Sequence, residues 1–437
     1  MDLANIFGSR FVRGYRSNCF DKEVYKSLED SVDRWNYLYS FTIISCLAFI
    51  STANVYFFRA FECTPLVTQL AQTNILGYIH AYCWSMGTTA LLINESLPIT
   101  SDEWDKAAEI GKISFYQWVP FCLALQAILF LLPHILWDTL ASRTFGDDIN
   151  AILESASKCV GILEPNERRN MIKDCSSKII YLSRAHCDER TSKLASIQRW
   201  GSSNIPFGRV LCCGKRMGNW ITFTYIFSKF LYLLNLIGQI NIVKHFLSHG
   251  RRKDALQSRT MYDFTFSLFS SLYNDDEWDG GGSVYFPRKT YCMVDFKHLG
   301  SSNNQYLSVC ALPVNIYTEK MYVFLWIWLW FVLTITTLSV CQWFLTSMLA
   351  RNQEYFVHSL IRYTGDVEKQ EMLFNKFFVK TFLRSDGIFI LTMIKKNSGS
   401  LVAQEICNEA WEQCKKEFKQ FNNANIESST MPKESQC

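Results

Sequence analysis

The chain has 437 residues, 49% of them hydrophobic and 15% aromatic, and a formal net charge of only +4. So weak a positive balance excludes the electrostatic footprint of a nucleic-acid binder. Mean hydropathy is +0.01, an average that conceals very apolar runs between ordinary polar loops, and sixteen cysteines are scattered along the chain, so compartment must decide which of them pair.

The first 36 residues contain no apolar core followed by a small-residue cleavage site, so they read as a cytoplasmic segment rather than a removed signal peptide. Four long apolar runs follow, at about 37–58, 113–136, 221–243 and 321–348. Each has the roughly 20 residues that a helix needs to cross the hydrocarbon of a bilayer. The first carries no charge, and the third carries one, Lys229. The fold expected is therefore an all-α polytopic membrane protein: a four-transmembrane-helix bundle with disulfide-bridged extracellular loops, some β structure in them, and a helical cytoplasmic domain.

Lys and Arg content orients the spans. The loop 137–220 holds thirteen of these residues and belongs in the cytosol; the loop 59–112 holds three and belongs outside. The loop 244–320 then lies outside, and both chain ends lie inside. Asn94-Glu95-Ser96 is the one N-x-[ST] tripeptide with a permitted middle residue, and it falls in the first outer loop, which makes Asn94 a candidate glycosylation site. The central loop and the tail, 349–421, mix apolar and charged residues at helical spacing, and the polar stretch 422–437 reads as disordered.

The outer loops carry Cys63 and Cys83, then Cys292 and Cys310. On the oxidising side these are disulfide candidates, and four cysteines allow three pairings among which spacing does not choose. The remaining cysteines fall in spans or on the cytosolic side and read as reduced thiols, with Cys212-Cys213 beside Lys215 and Arg216 open to palmitoylation or to no modification at all. No zinc-type His/Cys spacing occurs, and no cofactor or metal is called for. The acidic run Asp275, Asp276, Glu277 and Asp279 reads as a solvated loop before it reads as a calcium site, because the EF-hand spacing is absent.

Pro120 falls inside the second apolar run, where a missing N–H predicts a kink. Lys229 either joins an internal network or snorkels to the nearer surface. Gln117 and Gln126 are expected to bond neighbouring helices or water.

The second run opens Phe115-Tyr116-Gln117-Trp118-Val119-Pro120-Phe121, which resembles the YYQWVPF signature of the innexins, the invertebrate gap-junction proteins, with phenylalanine at position 115 in place of tyrosine. The resemblance continues at Lys229-Phe230-Leu231-Tyr232-Leu233, at Phe286-Pro287-Arg288, at Cys310-Ala311-Leu312-Pro313, and in the tail at Leu383-Arg384-Ser385-Asp386-Gly387. Connexins carry three cysteines per outer loop, and pannexins lack the Tyr-Gln-Trp-Val-Pro sequence.

The resemblance implies a plasma-membrane subunit that is not an enzyme. It would assemble with itself, and with other innexins, into an octameric ring in contact with membrane lipids. That ring would dock an opposing hemichannel through the outer loops and pass ions and small metabolites. It also implies the pairs Cys63–Cys310 and Cys83–Cys292, and a pore mouth lined from the N-terminal segment by residues such as Asp2, Leu3 and Asn5. The other readings are a non-conducting adhesion or scaffold protein built on the same stapled loops, and a membrane enzyme, for which no nucleophile or metal constellation is present in the sequence.

Overall fold

A computed structural model describes residues 29–58, 61–66, 73–91, 97–98, 100–145, 148–184, 218–248, 261–270, 285–296, 304–361, 374–375 and 377–428. Among the described residues, the first helix in chain order is α1, Ser31–Tyr56. It opens on a capping box in which the Asp30 N–H donates to Asp33 Oδ2 at 3.0 Å, and it contains one π turn at Trp35–Tyr39. The stretch expected as a separate N-terminal segment up to residue 36 therefore ends earlier, because two acids cap the span from its own first turn.

Strand β1 (Glu62–Pro65) is followed by α2 (Thr73–Met86), β2 (Thr88–Thr89), α3 (Ser101–Gly111) and β3 (Lys112–Ile113). Helix α4, Val119–Phe145, starts later than the apolar run, because Lys112–Ile113 pair with β2 and Phe115–Gln117 form a 3-10 turn. This corrects the kink expected at Pro120. Pro120 stands in the first turn of α4, where its absent N–H has no intrahelical acceptor to lose, and the proline inside the helix is Pro133. Gln117, in the 3-10 turn, does not belong to the span.

Helices α5 (Asp148–Lys158), α6 (Pro165–Arg184), α7 (Trp220–Ser248) and α8 (Met261–Ser270) precede the hairpin of β4 (Lys289–Phe296) and β5 (Asn304–Ala311). The chain then forms α9 (Pro313–Met348), α10 (Ala350–Ile361), the π segment α11 (Phe378–Leu383), α12 (Arg384–Ser398) and α13 (Ser400–Ser428). Among the described residues, α1, α4, α7 and α9 are the helices long and apolar enough to cross a membrane. Helix α13 runs past residue 422, where a disordered tail was expected, because no glycine or proline interrupts the sequence from Leu401 to Ser428.

The chain divides into two compact units. One holds residues 39–131 and 233–334. Its centre is a five-stranded antiparallel sheet in the order β1-β5-β4-β2-β3. The hairpin register runs from Lys289 opposite Ala311 to Phe296 opposite Asn304. Gly111 is required at the turn into β3: its carbonyl accepts from Ala90 N–H at 3.1 Å, and a Cβ there would sit 2.6 Å from Ala90 O.

The other unit holds residues 1–38, 132–232 and 335–437. Its core is helical. Ala403, Ile406, Cys407, Ala410 and Cys414 repeat at helical spacing along α13 and are buried with Ile152 and Leu153 of α5, Cys175 and Ile179 of α6, and Ile390 and Leu391 of α12. Arg168 of α6 clamps Glu405 of α13 through Nε at 3.1 Å and Nη2 at 2.9 Å.

Candidate functional site

Two constructions join elements distant in the chain, one in each unit. In the sheet unit, β1 lies beside β5 with Cys63 directly opposite Cys310, and the two sulfurs are bonded. Cys83, on the buried face of α2, is bonded to Cys292 of β4. Two segments separated by more than 200 residues in the chain are thus joined twice, once strand to strand and once helix to strand. The Cys63 N–H also donates to His80 Nδ1 at 3.2 Å, which holds α2 against β1. Such links restrict the unfolded ensemble, each contributing about 2–4 kcal/mol.

The Phe115–Phe121 motif forms the corner at which this sheet gives way to α4. Tyr116 is fully buried, its ring 4.8 Å from that of Trp84 and 6.2 Å from that of Phe61. The Gln117 amide donates to the Trp84 carbonyl. Phe115 packs edge-on against Phe246 and Phe286, and both of these rings stack on Tyr322. Trp118 and Phe121 face outward. The motif is therefore an aromatic joint that fixes α4 to the base of the sheet.

The helical unit holds a charge network among otherwise apolar helices. Lys229 of α7 is 1% exposed, with Nζ 2.7 Å from Asp33 Oδ1 and 2.9 Å from Ser339 Oγ of α9. Tyr225 O–H donates to Asp33 Oδ2 at 2.8 Å. One turn earlier, Asp30 Oδ2 accepts from Trp343 Nε1 at 3.1 Å and from Lys396 Nζ of α12 at 2.9 Å. Burial pushes the Asp30 carboxyl up, but Lys229 and Lys396 outweigh it and hold the group below its usual range.

His134 of α4 completes the ring of partners. Its Nδ1 is 2.6 Å from Glu29 Oε1, and its imidazole stacks on Tyr37 at 3.9 Å. Asn36 Nδ2 donates to Thr336 Oγ1 of α9 at 2.8 Å. In this unit, then, α1 is tied by charge or hydrogen bond to α4, α7, α9 and α12. Charges in such surroundings persist only when paired, so the network specifies how α1 is seated.

Of the two sequence readings of Lys229, the network holds and snorkelling does not, since the ammonium is enclosed rather than extended to a surface. Glu29, Asp30, Asp33 and His134 were missed. A signal was present: three acids immediately before the first apolar run and an unmatched lysine within the third have opposite sign. Asp2, Leu3, Asn5, Asn94, the Cys212-Cys213 pair and the acidic run 275–279 lie outside the described residues.

A family model described as Innexin matches residues 29–414. The chain is 28% identical to Innexin unc-9 of Caenorhabditis elegans over 386 residues, covering 88% of this chain and 91% of that protein. It is 27% identical to Innexin-19 of Caenorhabditis briggsae, covering 88% of this chain and 86% of the relative. It is 26% identical to Innexin-19 of Caenorhabditis elegans, covering 90% and 84%.

Proposed function

The chain belongs to the innexin family, and from that premise we propose that it is a gap-junction channel subunit whose ring passes ions and small metabolites between cells or across the plasma membrane. The observation that carries this reading is the match over residues 29–414, which takes in all four spanning helices and all four bridged cysteines. Selectivity in such a pore follows from its width and the charges that line it, and no catalytic group is needed.

The sheet unit, with its two disulfides, suits the oxidising outer side, where it would meet an apposed ring. The helical unit, whose Cys159, Cys175 and Cys407 are thiols rather than disulfide partners, suits the cytosol. Subunits assemble with themselves, as an octamer, and with other innexins. The N-terminal segment, including Asp2, Leu3 and Asn5, lines the pore mouth. Asn94 carries a glycan at the outer face; unchanged gel mobility after glycosidase treatment would remove that part.

Paired cells expressing the protein test the function. Dye transfer and junctional current are expected between them. Firm adhesion with neither signal, and no hemichannel current in single cells, would favour the scaffold reading instead.

A further inference from the structure

The two bonds of the sheet unit lie against each other. The Sγ atoms of Cys63, Cys83 and Cys310 all fall within 4.8 Å of one another, although Cys83 is bonded to Cys292 and to neither of the other two. Cys292 Sγ stands outside that group. Seen from the Cys63–Cys310 pair, Cys83 is therefore the near sulfur of its own bond and Cys292 the far one. All four residues are buried, none more than 2% exposed. A thiolate attacks one sulfur of a disulfide and expels the other, so a thiolate at Cys63 or Cys310 would meet Cys83 and release Cys292.

The hairpin places a second feature at the same spot. Thr290 lies opposite Cys310 and Ser308 opposite Cys292, so the four side chains share one face of β4 and β5. Thr290 and Ser308 are fully buried, and neither hydroxyl oxygen has a hydrogen-bond partner among the described residues. Leaving a buried hydroxyl unmatched is costly. Each of these two stands across from a sulfur that carries negative charge during an exchange: Thr290 from Cys310, an attacking thiolate, and Ser308 from Cys292, the departing one. A hydroxyl that donates to a thiolate lowers the cost of forming it in such surroundings.

We propose that Cys83 is an exchange centre: when a low-molecular-weight thiol opens the Cys63–Cys310 bond, the released sulfur takes Cys83 from Cys292 and moves the tether of α2 from β4 to the outermost strands, β1 or β5. The entry point is β1. It has four residues and lies at the edge of the sheet beside β5, with Glu62 and Thr64 exposed on either side of Cys63. A short edge strand frays at small cost, and fraying brings Cys63 to solvent.

Atoms and electrons balance through the sequence. The external thiolate bonds to Cys63 Sγ, the Cys63–Cys310 bond breaks, and its electron pair leaves on Cys310. The Cys310 thiolate then bonds to Cys83 Sγ, the Cys83–Cys292 bond breaks, and its pair leaves on Cys292, which takes a proton from water. A second external thiolate removes the first from Cys63 as a small disulfide and leaves Cys63 a thiol. Initial attack on Cys310 instead releases Cys63, and the same steps end with Cys63 bonded to Cys83. The external thiols are oxidised and one protein disulfide is reduced, while the exchange at Cys83 is itself redox-neutral. By either route Cys292 ends as a free thiol while Cys83 stays bonded.

The test treats the full-length protein in lipid nanodiscs with reduced glutathione, quenches it in acid, alkylates it and maps the peptides with their remaining bonds intact. A neighbouring thiol acts at an effective concentration on the order of mM, so at roughly 0.1 mM glutathione the form with Cys292 alkylated and Cys83 bonded to Cys63 or Cys310 should exceed the form with both bonds open by about tenfold. Cys63→Ser with Cys310→Ser removes the attacking sulfurs, and its Cys83–Cys292 bond should open about tenfold more slowly than in the wild type. Size exclusion reports whether that variant is folded, and the wild-type map decides by itself if it is not. Cys292 alkylated only in molecules whose Cys83 is alkylated too, or a Cys63–Cys310 bond that glutathione leaves intact in the folded protein, overturns the proposal. The outer-side setting rests on the channel reading, but the mapping needs no conduction, so either can fail without the other.

Discussion

Lys229 on the third span and Asp33 at the head of the first stand 2.7 Å apart, and neither side chain reaches solvent. The pair makes α1 dependent on α7. Removing one partner leaves the other charge buried and unmatched, which costs far more than removing both.

Lys229→Met and Asp33→Asn should each destabilise the protein by about 3–5 kcal/mol, and the combination Lys229→Met with Asp33→Leu should recover most of that loss. Thermal unfolding followed by size exclusion in one detergent measures all three. Additive losses in the combined variant would show that the two residues act separately.

Peptide mapping without reductant should recover Cys63 linked to Cys310 and Cys83 linked to Cys292. Cys83→Ser with Cys292→Ser should lower stability by about 2–4 kcal/mol while the first link survives. Recovery of Cys63 joined to Cys83 or Cys292 would contradict the pairing in the sheet.

Gly111 and Gly77 give a matched contrast. Alanine at 111 drives a Cβ to 2.6 Å from Ala90 O and should cost about 1–3 kcal/mol. Alanine at 77, inside α2 with nothing within 4 Å, should be neutral or gain about 0.5–1 kcal/mol. Midpoints of thermal unfolding for the two variants distinguish a close backbone approach from simple helix propensity; equal shifts would argue against it.

Burial pushes the Cys175 and Cys407 thiols up to about 12. At pH 8 both stay protonated in the folded protein, so neither should be alkylated by iodoacetamide until denaturant is added. Mass spectrometry of labelled peptides reads this directly, and rapid labelling of either thiol in the native protein would place it outside the helical core.

The amino-acid sequence by itself determined the four crossings, since length and apolarity are local properties that the bilayer demands of any spanning helix. It also supplied the four cysteines of the outer loops, and the Phe115–Phe121 motif carried the family resemblance. What it left open depended on partners distant in the chain. Pro120 changed meaning once Lys112–Ile113 paired with β2 and pushed the start of α4 to Val119. Lys229 was ambiguous until Asp33 and Ser339 closed around it, and Asp386 was one tail acid among many until Thr222 came to lie beneath it. Periodicity fixes where helices form, because their hydrogen bonds span four residues; which charge meets which is settled only when helices far apart in sequence pack and exclude water from between them.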